Sequence, residues 1–137
     1  GTGVMRMDEI SIKLPAKPEY ISVARLTTAA IANRLGFSID DIEDLKIAVS
    51  EAGNYLINQF SDITTLIIHY RVGPESGIHA QVTAPDATKV SKKETSESEL
   101  SLFIIDSVAD QVTRVIEQGI IRGFSILKTG GGNIRHE

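Results

Sequence analysis

SIDDIEDLKIAVSEAGNYLINQF, residues 38–60, is the stretch from which the rest of the chain is read. Its apolar residues Ile42, Leu45, Val49, Ala52 and Leu56 recur three and four apart, the spacing that lines one face of a helix. Ser38 is a good N-cap, and Asp41 three residues later can complete a capping box. Asp40, Asp41, Glu43 and Asp44 suit the positive start of a helix. Glu51, Asn54 and Asn58 also fall three and four apart, so a carboxylate and two amides share a second face. That face is either simply solvated or a site.

Working outward, Glu9 to Leu14 alternates strictly, with Ile10, Ile12 and Leu14 on one side, which predicts a half-buried strand. Pro15 and Pro18 end it. Glu19 to Leu35 reads as a helix with Ile21, Ala24, Thr28, Ile31 and Leu35 inward and Gly36 as its stop. After the central helix, Thr64–Val72 and Ile78–Ala84 are β-rich runs joined by Gly73-Pro74-Glu75-Ser76-Gly77, which has hairpin chemistry. Residues 85–99 are polar and charged and read as a mobile connection. Leu100, Phe103, Ile104 and Val108 define a third, shorter helix, with Ser96 or Ser98 as its cap. Val112–Ile116 and Ile120–Thr129 form a second hairpin about Gln118-Gly119. The tail after Thr129 reads as frayed. Its glycine triplet is followed by no helix and therefore lacks the context of a phosphate cradle.

The expected order is strand, helix, helix, hairpin, helix, hairpin. Strands and helices do not alternate regularly, which argues against a doubly wound parallel sheet. The economical solution is an α/β two-layer sandwich, with a mostly antiparallel sheet of four to five strands carrying three helices on one face. Residues 1–7 are expected to be a loose terminus, 8–129 a single domain, and 130–137 a flexible tail.

Composition narrows the function. At 137 residues and net charge -4, the chain has no basic footprint for nucleic acid. It lacks cysteine, which excludes disulfides, thiolate metal sites and a cysteine nucleophile. His69, His79 and His136 have no metal-ligand spacing, and surface or sheet positions suit them. No apolar run reaches the length of a membrane span and no leader is visible, so the expected location is cytoplasmic.

KLPAKPEYISVARLTTAAIANRLGF followed by IEDLKIAVSEA closely resembles the N-terminal half of the anti-sigma-factor serine-protein kinases of the RsbW type, members of the GHKL, or Bergerat-fold, ATPase superfamily. The resemblance continues more weakly through LFIIDSVADQV to the closing hairpin. It implies a Bergerat-fold sandwich. It also implies a stress-response regulator that binds a sigma factor and uses ATP and magnesium to phosphorylate a serine of an anti-anti-sigma (STAS) protein.

Three family motifs build the ATP site, and each departs here. In E-x-x-x-N the Glu is the general base and the Asn a magnesium ligand. Glu51 matches the Glu, Tyr55 stands at the Asn position, and Asn54 sits one residue early. In D-x-G-x-G the Asp receives the adenine amino group. Ala84 stands in its place and Asp86 in that of the first Gly. In the phosphate-cradling G-x-G before the third helix, Glu99 and Ser101 replace glycines, and Glu99 would repel a polyphosphate. Tyr55, Pro85 and Glu99 are expected to narrow the mouth of the pocket. The connection at 85–99 is shorter than the family's ATP lid.

The expectation is therefore a family member that has lost ATP binding and kinase activity, with no cofactor and no metal. It would act by binding a sigma factor, an anti-anti-sigma protein or a paralogous kinase, as a homodimer or heterodimer. Arg25, in ARLTTA, matches a helix arginine that contacts partners in the family, and Glu19 and Tyr20 adjoin it. The alternatives are an active serine/threonine kinase that keeps Glu51 as base, and a small-ligand sensor in the old pocket.

Overall fold

The computed structural model describes residues 7–91 and 96–130. Expectations for the extreme termini, for His136 and for the middle of the polar connection therefore lie outside the described residues. Strand β1 (Asp8–Pro15) leads through a 3-10 turn (Pro18–Tyr20) into helix α1 (Ile21–Arg34) and the long helix α2 (Ile39–Gln59). The hairpin β2 (Thr65–Gly73) and β3 (Gly77–Thr83) follows, then helix α3 (Ser96–Val108), then the hairpin β4 (Gln111–Glu117) and β5 (Ile120–Lys128). The five strands form one antiparallel sheet in the order β1-β2-β3-β5-β4.

Local chemistry sets the boundaries. The Ser38 hydroxyl accepts from the Asp41 N–H at 3.1 Å and caps α2 as expected. Gly36 turns the chain after α1 with φ 79°. In the closing hairpin, Gln118 (φ 54°) and Gly119 (φ 79°) are both left-handed. This is the two-residue turn whose twist matches the flanking strands.

Register then decides the faces. Ile12, Ile68, Val82 and Phe124 line up across four strands on the inner face, where Leu66, Tyr70, Ile78, Ala80 and Ile126 are also buried. One residue out of phase, Ser11, His69, Gln81, Ser125 and Thr113 make a polar row on the outer face. There Ser11 Oγ is 2.6 Å from His69 Nδ1, and His69 Nε2 is 2.9 Å from Glu9. The inner face is covered by α2, which lies over β3 and β5 with α1 and α3 against its flanks. Leu45, Val49, Ala52 and Leu56 of α2 are fully buried, and Ile42 is partly so. Gly53 brings α1 close, since a Cβ there would lie 2.8 Å from Ile21 Cδ1. The buried Thr28 hydroxyl donates to Ala24 O at 2.8 Å and sits 2.7 Å from the Tyr70 hydroxyl, whose pKa burial pushes up to about 12.

Two expectations are corrected. Residues 85–91, read as part of a mobile connection, are pinned to the end of α2. Val90 bridges Phe60, Ser91 N–H donates to Gln59 O, and Ser61 N–H donates to Lys89 O. The Asp62 carboxylate accepts from the N–H groups of Thr88 and Lys89 and from the Thr88 hydroxyl. A polar sequence was read as mobile because its hydrogen-bond partner lies over twenty residues away. The second correction concerns α3. It already begins at Ser96, so neither Ser96 nor Ser98 stands before the helix as its N-cap. Ser101 and Ile105 are its buried residues, while Leu100 and Phe103 are 56% and 68% exposed.

The Asp62 clasp carries a prediction. Three N–H and O–H donors, led by Lys89 N–H, pull its pKa from 3.8 to about 2. A carboxylate with a depressed folded pKa contributes stability that is complete above its unfolded value and is lost as pH falls through the folded one. The amides of Thr88 and Lys89 should therefore lose hydrogen-exchange protection between about pH 4 and pH 2. Asp62→Asn should open them at neutral pH, and unchanged protection in that variant would contradict the clasp.

Candidate functional site

Glu51, Asn54 and Asn58 line one side of a cleft of about 300 Å³, and Glu97, Leu100, Ser101 and Ile104 of α3 line the other. The second face read from the sequence of α2 is thus a wall of this cleft. Helical geometry shows why the family spacing misleads here. Taking Glu51 as zero at about 100° per residue, Asn58 falls near −20°, Asn54 near −60° and Tyr55 near +40°. The core lies on the positive side. Asn54 and Asn58 therefore enter the cleft with Glu51, while Tyr55 turns inward.

Tyr55 was expected to narrow the pocket mouth, and it does not. It is buried, and its ring meets Phe124 edge-on at 5.4 Å and 88°. An aromatic ring gains more from core packing than from a wet cleft. Pro85 and Glu99 are exposed and line no part of the cleft. With α3 starting at Ser96, Glu99 lies about 160° around the helix from Ser101. Glu97, one turn before Ser101, is the acid that enters. The sequence reading missed Glu97, Leu100 and Ile104 as lining residues. An earlier helix start would have put them on one face with Ser101.

The centre of the site is a single contact. The buried Ser101 hydroxyl donates to Glu51 Oε1 at 2.7 Å. A hydroxyl from α3 thus takes up one oxygen of the Glu51 carboxylate. Because α3 is helical from Ser96, the backbone N–H groups through Ser101 belong to helix turns and not to an open glycine loop.

At the corner where the family resemblance would place adenine, Ala84 and Ala87 are packed into the core, 3% and 1% exposed, and Asp86 is exposed. Arg122 covers this corner. Its guanidinium donates to Ala87 O, lies 5.0 Å from the Phe60 ring centroid and pairs with Glu117 at 3.2 Å. Among the described residues, no group of three or more His, Asp or Glu side chains is arranged to hold a metal ion. No described helix is long and apolar enough to cross a membrane.

The expected partner surface lies on α1. Tyr20, Val23 and Leu26 are 39%, 40% and 71% exposed, and Glu19 is exposed beside them. Arg25 is half-buried, and its Nη1 donates to Ser50 Oγ at 3.2 Å. It also helps hold the Glu43 carboxyl below its ordinary pKa, an effect due first to Lys46. Arg25 is therefore oriented by α2 and is not a free surface arginine. Ser50 immediately precedes Glu51, so the expected partner surface on α1 adjoins the turn of α2 that lines the cleft.

No family model matches the chain. Similarity to curated proteins is extensive. The serine-protein kinase RsbW of Bacillus licheniformis is 34% identical over 131 residues, covering 82% of this chain and 81% of the relative. RsbW of Bacillus cereus strain G9842 is 32% identical over 132 residues, covering 84% and 82%. RsbW of Oceanobacillus iheyensis is 61% identical over 51 residues, covering 37% and 32%. With that identity over most of both chains, and with the two-layer fold expected of the family, this chain belongs to the RsbW family of anti-sigma-factor serine-protein kinases.

Proposed function

We propose that the chain is an anti-sigma-factor-like regulator that acts by binding proteins and carries out no phosphoryl transfer. Its partners would be a sigma factor, an anti-anti-sigma protein or a paralogous kinase, met through the α1 surface around Arg25. The observation that carries this reading is the Ser101–Glu51 hydrogen bond, made by a helix that runs through the positions of the phosphate-binding glycines. The buried Ala84 supports it, because adenine recognition in the family needs an acceptor where this methyl group stands. Losing a hydrogen bond from a site built for it costs about 1–3 kcal/mol. The exposed edge strand β1 offers an edge for pairing with a second copy or a paralogue.

Calorimetric titration with ATP and magnesium tests the proposal. No heat of binding and no thermal stabilisation are expected at millimolar nucleotide. A micromolar site would stabilise the fold by about 4 kcal/mol at that concentration, and observing it would overturn the reading. The second reading is an active kinase. It is favoured by one observation, that Glu51 and Asn54 do enter the same cleft. The relatives are named serine-protein kinases. Transfer of labelled phosphate to an anti-anti-sigma protein, abolished by Glu51→Ala, would establish it.

A further inference from the structure

We infer that the cleft between α2 and α3 is a docking groove for an extended, basic segment of a protein partner. The inference rests on the reading of the chain as a protein-binding module and names the chemistry of what this second surface accepts.

The groove is acidic on both walls. Glu51 stands on α2 and Glu97 on α3, and among the described residues no Lys or Arg lines it. Among the described residues Glu97 pairs with no cation. Such a groove disfavours a polyphosphate and favours Lys or Arg.

The second observation concerns the amides. Among the described residues the side chains of Asn54 and Asn58 have no hydrogen-bond partner. Each carries a donor and an acceptor, the complement of a peptide group. Four residues apart on α2, they are separated by about 6 Å along the helix. An extended chain repeats a peptide edge every two residues, about 6.6 Å. Asn54 and Asn58 are thus spaced to meet alternate peptide groups of one strand-like segment.

The opposite wall has the same spacing. Leu100 and Ile104 lie four apart on α3, with Leu100 and the neighbouring Phe103 largely exposed. They provide apolar contacts for alternate side chains of the same segment. Ser101, between them, is already bonded to Glu51 and holds the two walls at a fixed separation.

The test is selection of a random 12-residue phage-displayed peptide library on the intact protein, followed by fluorescence anisotropy with the enriched peptides. Enriched sequences should carry net positive charge with apolar residues two apart. Glu97→Lys, Leu100→Asp and the double variant Asn54→Ala/Asn58→Ala should each weaken binding at least tenfold. Gln81→Ala, on the outer face of the sheet, should leave peptide binding unchanged. The altered side chains are exposed or partly so, and circular dichroism with a thermal melt checks that each variant folds. Failure to enrich any peptide, enrichment of acidic peptides, or full binding by all three groove variants would overturn the inference. If ATP is also silent in calorimetry, only this inference falls. If ATP binds at micromolar concentration and displaces the peptides, the cleft is a nucleotide site, and the inference falls together with the proposed function.

Discussion

Arg25→Ala is expected to weaken binding of a purified sigma-factor or anti-anti-sigma partner at least about thirtyfold, whereas Glu51→Ala should weaken it far less. The guanidinium can make a planar, two-bond contact with a partner carboxylate, a geometry that lysine does not reproduce. Truncating one half of a desolvated charge pair costs about 2–5 kcal/mol, largely through faster dissociation. Ser50 strengthens the expectation, because one guanidinium nitrogen is held at 3.2 Å and the rest of the fork is oriented before binding. The same bond sets the side effect. Its loss should reduce fold stability by about 1 kcal/mol, too little to unfold the chain. Arg25→Lys should recover only part of the affinity. Surface plasmon resonance with both variants separates the two functional readings. If Glu51→Ala removes the regulatory activity while Arg25→Ala keeps it, the protein is a working kinase.

Lys128→Met is expected to produce the largest loss of fold stability. Lys128 Nζ is almost wholly buried among three carboxylates, with Asp44 at 3.3 Å, Asp110 at 3.6 Å and Asp41 at 3.7 Å, and it donates to Val108 O at 2.9 Å. This one ammonium ties the last strand to the start of α2 and the end of α3. Removing it leaves three acids facing one another. Breaking a fully buried pair costs about 3–5 kcal/mol, and partial exposure of the aspartates reduces that to about 2–3 kcal/mol. For a chain of this length the melting temperature should fall by about 7–10 °C. Urea unfolding measures the loss directly, and a change below about 0.5 kcal/mol would show that solvent already screens the cluster.

Acid should act on the same place in the native protein. The Asp110 carboxyl is held below its ordinary pKa of 3.8, first because Thr129 N–H donates to it and then through the Thr129 hydroxyl and Lys128. A depressed folded pKa means that the contribution is complete above the unfolded value and disappears as pH falls through the folded one. Stability should therefore decline on acidification below about pH 4.

Periodicity was enough to locate the elements that bury one clear face. The 3.6-residue stripe of α2, the alternation in β1 and the turn chemistry at Gln118-Gly119 each express a local requirement, so the two-layer antiparallel fold was legible before any coordinates. The same legibility extended to the Glu51, Asn54 and Asn58 face, because three residues on one regular helix keep fixed angles to one another. Helix α3 was read less well. Leu100 and Phe103 look like a buried stripe, and only the docking of α3 against α2 shows that Ser101 and Ile105 are the buried positions.

Long-range partners decided everything else. No local pattern says that Asp62 will clasp Thr88 and Lys89, so a polar run was read as mobile. Tyr55 was placed in the cleft by its spacing from Glu51, yet the core on that flank of α2 took it against Phe124. The pairing of Ser101 with Glu51 joins residues fifty positions apart. By itself the sequence determined the element order, the sheet's inner face, the family and the departures from the family's motif spellings, because these depend on residue identity and short-range spacing. Only the tertiary structure decided which side chains meet in the cleft, since that depends on how two helices rotate about their axes to bury the most apolar surface.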